Sequence, residues 1–221
     1  DMAIGAALLF NIRLPLNFNS PYKATSIQDF WRRWHITLSN WLRDYLYIPL
    51  GGNRNGNYRT YLNLFITFLL GGFWHGAGWT FIIWGALHGT ALGIHRLWQQ
   101  SGLRMPPLVG WFITFMFVNA AWIFFRADSF NSAISILSGM TGLNGTAITD
   151  GLVQQLTPYL QYLQNLGIGY IKSQQMIAGS SFYFITSFAF IAFLLPNTLQ
   201  LSGFIRYKYS MHNKYTMCIL N

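Results

Sequence analysis

The chain has 221 residues, of which 52% are hydrophobic, 18% aromatic and only 9% charged, with every acidic residue an aspartate; a soluble domain carries about a quarter charged residues. The net charge of +9 would suit nucleic acid, but the cations flank apolar runs, with Arg32, Arg33, Arg43, Arg54 and Arg59 before the longest run and Arg96 and Arg104 after it. That placement is the headgroup pattern of membrane proteins and points to membrane lipid, not nucleic acid, as the partner. Cys218 alone excludes an intramolecular disulfide framework and a thiolate metal cluster.

The chain opens at Asp1 without an initiator Met or a signal-peptide pattern. Residues 1–19 are apolar but interrupted by Arg13 and Pro15, too short to span alone, and are expected to be the tail of a preceding helix. Ser26-Ile27-Gln28-Asp29 has the form of a helix start, a Ser cap with an acid three positions on, and Pro49-Leu50-Gly51-Gly52 the form of its end. On a helical wheel Phe30, Trp31, Trp34, Leu38, Trp41, Leu42, Tyr45 and Leu46 share one arc, while Arg32, Arg33, Ser39, Asn40, Arg43 and Asp44 fall in the other. The spacing therefore predicts a single amphipathic helix from Ile27 to Ile48 lying in the membrane interface. His35 sits within the aromatic arc, and spacing alone leaves it as either a satisfied core histidine or a functional group.

From Tyr61 to His95 the only polar ionisable side chains are histidines. At about 1.5 Å per residue this run exceeds 50 Å, against a hydrocarbon core of about 30 Å, so it must break or double back. The break is expected within Gly71-Gly72-Phe73-Trp74-His75-Gly76-Ala77-Gly78, where four glycines occur in eight residues. Non-helical backbone at membrane depth is tolerated only where protein or a water-filled cavity covers it, so a histidine there marks a candidate pocket. Residues 105–125 and 178–195 are predicted spans, 127–177 a loop with interfacial helices, and the chain from Leu201 onward is polar and aromatic without an assignable element.

Familiar catalytic motifs are missing: no GxSxG elbow, Walker loop, HExxH or CxxC occurs. Five acidic residues leave little for a carboxylate dyad or metal cage. Among the histidines, His212 lies in the polar tail and is expected to be solvated; His88 and His95 are seven apart and lack the i, i+4 geometry of zinc helices, so no metal site is expected. His75 lies among glycines that permit close approach and between Trp74 and Trp79, which are suited to wall a cavity. The alternative for His75 is a plain hydrogen bond to a carbonyl exposed by the glycine break.

Two strings, FWRRWHITLSNWLRDYLYIPLGGNR (Phe30 to Arg54) and GGFWHGAGWTFIIWGALHG (Gly71 to Gly89), resemble the membrane-bound O-acyltransferase family in order, spacing and tryptophan content. Within it they are most similar to the bacterial branch of alginate O-acetylases and teichoic acid D-alanyl transferases, and YIPLGGNR is more like the acetylases. The likeness covers residues 1–126 well and LLPNT (Leu194 to Thr198) more loosely. It implies an all-α, multi-pass transmembrane helical bundle with interfacial amphipathic and broken or re-entrant helices. Residues 1–221 would then be a single membrane domain, the carboxyl-side part of a longer protein in the bacterial inner membrane.

The same resemblance places His75 at the catalytic position and His35 at the second polar position of the site, with Trp74, Trp79, Trp34 and Asn40 as candidate substrate-binding residues. Imidazole has the near-neutral pKa needed to take a proton from an acceptor hydroxyl, and no nucleophilic Ser or Cys is evident, so direct transfer without a covalent enzyme intermediate is expected. The implied reaction is acetyl transfer from a donor such as acetyl-CoA, with no bound cofactor, for O-acetylation of an exported polysaccharide of the alginate type. The acceptor would be the polysaccharide or an extracytoplasmic acetyltransferase partner. Two other readings stay open: D-alanyl or other acyl transfer to an envelope polymer, and a non-enzymatic transporter or channel subunit built on broken helices.

Overall fold

A computed structural model describes residues 2–141, 146–148, 162, 165, 168–170 and 179–201. The chain divides into two compact units, one of residues 1–125 with 192–221 and the other of 126–191. In chain order the elements are α1 (Met2–Leu9), α2 (Ile27–Arg33), α3 (Ile36–Leu42), a π-helical turn (Arg43–Tyr47), α4 (Gly56–His75), α5 (Trp79–Gln100), α6 (Pro107–Arg126), α7 (Phe130–Met140), β1 (Thr146–Ile148), β2 (Ile168–Tyr170), α8 (Gly179–Leu194) and α9 (Thr198–Leu201). The architecture is thus helical, but not purely so. In the second unit β1 and β2 pair in parallel, Thr146 with Ile168 through Ile148 with Tyr170. The tail beyond Leu201, with His212 and Cys218, lies outside the described residues, as does most of 142–178.

The first unit is organised on the antiparallel pair α4 and α5. As the apolar run requires, the chain doubles back within the glycine segment; α4 continues through Gly71 and Gly72 to His75, and the reversal is confined to Gly76-Ala77-Gly78. The two helices meet closely because of Gly72 and Gly85. A Cβ on Gly72 would lie 2.3 Å from the Phe81 carbonyl oxygen, and one on Gly85 would lie 2.3 Å from that of Phe68. Backbone therefore packs on backbone at this crossing, as in membrane helix pairs built on small residues. Asn63, buried in α4, donates from Nδ2 to the Gly52 carbonyl at 2.9 Å and ties the 48–55 turn to the pair.

The segment expected to be one amphipathic helix from Ile27 to Ile48 is instead broken. Its start agrees with the sequence: Ser26 Oγ accepts from the Asp29 N–H at 3.0 Å, and Asp29 pairs with Arg33 at 2.8 Å. After Arg33, however, Trp34 turns extended and His35 adopts a left-handed conformation, φ 43° and ψ 55°, which costs a non-glycine residue about 1–2 kcal/mol. Tertiary hydrogen bonds offset that cost. The Asn19 N–H donates to Arg33 O at 2.9 Å and the Ile36 N–H to Asn17 O at 2.9 Å. Asn17 Oδ1 accepts from both the Thr37 N–H, at 3.1 Å, and Thr37 Oγ1, at 2.6 Å. The Asn17 side chain therefore caps α3 from another part of the chain, a function that His35 does not perform. The break rotates the second half of the segment away from the wheel's arc: Phe30, Trp31 and Leu42 are buried, but Trp41 and Tyr45 are exposed.

Of the two further spans predicted, residues 105–125 appear as α6, the one helix among the described residues long and apolar enough to cross a membrane. Residues 178–195 appear as α8, whose 16 residues fall short of the roughly 20 that a helical span needs. Helix α6 is held against the start of the unit, where a Cβ on Gly110 would meet Thr25 O at 2.4 Å and Trp111 Nε1 donates to Tyr22 O at 2.9 Å. Phe193 packs edge-on against Trp111 and Phe115, the Lys23 ammonium donates to Leu195 O, and Asn197 Nδ2 donates to Ser20 Oγ at 2.9 Å.

The glycine crossing leads to a direct prediction. Gly85→Ala should lower stability by about 1–3 kcal/mol, the cost of overpacking, whereas Gly93→Ala on the same helix, where a Cβ meets nothing within 4 Å, should be neutral or gain up to about 1 kcal/mol of helix propensity. Thermal unfolding of the two detergent-solubilised variants beside wild type makes the comparison; equal shifts would show that the close approach is not needed.

Candidate active site

His75 is the last residue of α4, and its neighbour Gly76 is the extended C-cap, φ 162°. A Cβ on Gly76 would lie 2.7 Å from the Phe81 ring, so the reversal can tuck against α5 only with glycine there. The half-buried His75 ring is enclosed by aromatics: Trp74 at 5.0 Å, Trp84 at 5.4 Å and Phe125 at 5.0 Å between centroids, the last two nearly perpendicular to it. Phe81 lies at 6.5 Å. His35 is close enough for a charge on its ring to be felt at His75. Its own ring packs 6.0 Å from Phe18, and its Nδ1 is buried with no hydrogen-bond partner among the described residues. The left-handed turn thus delivers a half-buried histidine with a buried, unused ring nitrogen to the neighbourhood of His75.

The other sequence-chosen residues fall in different places. Trp34 is half-buried and central to the aromatic wall, stacked on Phe30 at 5.8 Å and edge-on to Phe18 at 4.9 Å and Trp122 at 5.0 Å. Asn40 is half-buried on α3. Trp74 and Trp79, at the two ends of the reversal, are 65% and 76% exposed, so in this chain they stand at the outer edge of the site rather than inside it. His88 is fully buried and accepts from Trp31 Nε1 at 3.2 Å through Nδ1; it is a core histidine in a nest of Phe30, Trp31, Phe68, Trp84 and Phe117. His95 Nε2 meets Gln28 Oε1 at 3.2 Å. Among the described residues no three His, Cys, Asp or Glu side chains stand together as a metal site would require.

Sequence reasoning did not find Trp84, Trp122, Phe125 or Asn17. The first three belong to apolar helices in which an aromatic residue is unremarkable, and only the fold brings them together. Phe125 meets His75, Phe81, Trp84 and Trp122 at 5.0–5.2 Å. Chemically, the arrangement is a histidine in an aromatic enclosure, with a second histidine within electrostatic range.

Comparison with known proteins gives this chemistry a family. The model of the membrane-bound O-acyltransferase family matches residues 1–137, more than half of the chain. The chain belongs to the membrane-bound O-acyltransferase family. Among its curated relatives is a peptidoglycan O-acetyltransferase of Helicobacter pylori, 51% identical over 205 residues, which cover 91% of this chain and 38% of that protein. A "Probable alginate O-acetylase" of Pseudomonas aeruginosa is 52% identical over 63% of this chain and 27% of its own. A teichoic acid D-alanyltransferase of Bacillus subtilis is 30% identical over 58% of this chain and 36% of its own. The chain therefore spans well under half the length of the relatives it matches. Both histidine strings, Phe30 to Arg54 and Gly71 to Gly89, lie inside the stretch assigned to the O-acyltransferase family.

Because Asn17 holds the turn that presents His35, Asn17→Ala should cost about 0.5–2 kcal/mol, the value of a lost helix cap. Asn17→Asp, which keeps the acceptor oxygen, should recover most of it. Unfolding midpoints of the two variants test this; an unchanged midpoint in Asn17→Ala would show that the left-handed turn is held by other contacts.

Proposed function

We propose that the protein carrying this chain is a membrane O-acetyltransferase that moves an acetyl group from a thioester donor, acetyl-CoA by its chemistry, to a hydroxyl of an exported polysaccharide. The observation that carries the reading is the enclosure of His75 at a glycine-made helix end with His35 beside it, in a chain of this family. His75 takes the acceptor hydroxyl proton, the hydroxyl oxygen attacks the thioester carbon, and the proton passes on to the leaving thiolate. A single histidine serving as base and then acid needs no covalent enzyme intermediate. His35 orients the acceptor or donates to the carbonyl oxygen as charge develops on it.

Two observations favour acetyl over D-alanyl transfer and a wall glycan over alginate. The O-acetyltransferase relatives are about 50% identical and the D-alanyltransferases about 30%. The peptidoglycan enzyme matches over 205 residues, the alginate enzymes over 137 to 159. The same reading places the protein as a multi-pass component of the bacterial inner membrane, with α4 and α5 forming the broken element inside the bilayer. Its acceptor is the polysaccharide itself or a hydroxyl on an extracytoplasmic acetyltransferase partner.

In the full-length protein, His75→Ala should abolish acetyl transfer from labelled acetyl-CoA to muropeptide-type or alginate-type oligosaccharide while membrane abundance stays near wild type. More than a tenth of the activity surviving at normal abundance would remove His75 as the base, and no transfer by wild type would favour a transporter or structural subunit. His35→Gln, similar in size and able to hydrogen-bond, should lower the single-turnover rate by about 10²–10³, the value of one lost transition-state contact. A rate within threefold of wild type would return His35 to a packing role.

A further inference from the structure

The walls of the His75 enclosure hold two indole nitrogens that the mechanism above does not use. Trp84 is 4% exposed, and its Nε1 is buried without a hydrogen-bond partner among the described residues; the same is true of Nε1 of Trp122. An indole nitrogen is a donor only, and a buried donor left unmade costs about 1–3 kcal/mol. Buried tryptophan nitrogens usually find a partner, as Trp31 Nε1 does with His88. Of the two orphaned ones, Trp84 borders His75 directly and Trp122 borders Trp84 and Phe125. Trp84 stands perpendicular to the His75 ring at 5.4 Å, Trp122 lies 6.2 Å from Trp84, and Phe125 is the ring that touches all three.

We propose that Trp84 and Trp122 are catalytic donors: their indole N–H groups bind the acyl carbonyl oxygen in the place that the Phe125 ring holds here, and stabilise the oxyanion formed there. The inference rests on acyl transfer at His75. As the acceptor O–C bond forms and the carbonyl electron pair moves onto oxygen, His75 takes the hydroxyl proton. Both N–H groups then donate to the oxyanion. When the C–S bond breaks, the electron pair returns to the carbonyl and His75 gives its proton to the thiolate. In an aromatic enclosure such preorganised donors act in low dielectric, where they are worth most. The arrangement also accounts for two buried polar atoms in an otherwise apolar wall: they are unsatisfied only while no carbonyl is present.

The test replaces the donors without changing the shape of the wall. In the full-length protein, Trp84 is substituted by β-(3-benzothienyl)alanine, in which sulfur replaces the N–H in the same bicyclic ring, and Trp84→Phe and Trp122→Phe are made alongside. Acetyl transfer from labelled acetyl-CoA is measured beside wild type and His75→Ala. The expected result is a fall in kcat of about 10²–10³ for the benzothienyl variant, with the KM for donor within threefold of wild type and the unfolding midpoint unchanged. Trp84→Phe and Trp122→Phe should each lose kcat in the same sense. A benzothienyl variant with kcat within threefold of wild type, or one whose loss lies in KM, overturns the donor assignment, and an inactive His75→Ala beside it would leave the acyl-transfer reading standing. Failure of wild type to transfer acetyl would overturn both.

Discussion

The first unit depends on one steric constraint, the crossing of α4 and α5 at Gly72 and Gly85. With no Cβ on either side, the backbone of each helix lies against the other. This close approach sets the registry of everything on the facing surfaces. It brings the end of α4, and with it His75, down onto the first turns of α5, so that Trp84 meets His75 edge-on. Close backbones gain dispersion contacts that a Cβ on either glycine would prevent.

A second constraint is local strain at His35. Left-handed backbone at a non-glycine residue persists only when its surroundings over-determine it, and here they do: residues 17 to 19 bond to the backbone on both sides of the break. The consequence is a change of direction between α2 and α3 that a continuous helix would not allow. Phe30 and Trp31 can face the α5 core around His88, while His35 turns toward Phe18 and keeps an unbonded ring nitrogen. Strain of this kind is a hypothesis of function when found at a histidine, and its proximity to His75 gives that hypothesis a site.

The enclosure is made of rings, not of charges. The ring contacts of His75 are to Trp74, Phe81, Trp84 and Phe125. Among the described residues, the buried side-chain nitrogens without a hydrogen-bond partner include His35 Nδ1, Trp84 Nε1 and Trp122 Nε1.

What the sequence alone determined follows from periodicity, composition and glycine. The helical character, the reversal between Tyr61 and His95, the cap at Ser26 and the family strings that contain His35 and His75 are all legible, because each depends on residues near in the chain. What only the tertiary structure decided depends on residues far apart. The break at His35 was invisible because the wheel from Ile27 to Ile48 is regular, and the Asn17 contacts that stabilise the break come from about twenty residues away. Trp84, Trp122 and Phe125 gave no signal because an aromatic residue in an apolar helix is ordinary until the crossing at Gly72 and Gly85 sets it beside a histidine. Trp74 and Trp79 lie close to His75 in sequence, yet at the ends of α4 and α5 both are largely exposed, and of the two only Trp74 has a ring contact with His75 among the described residues.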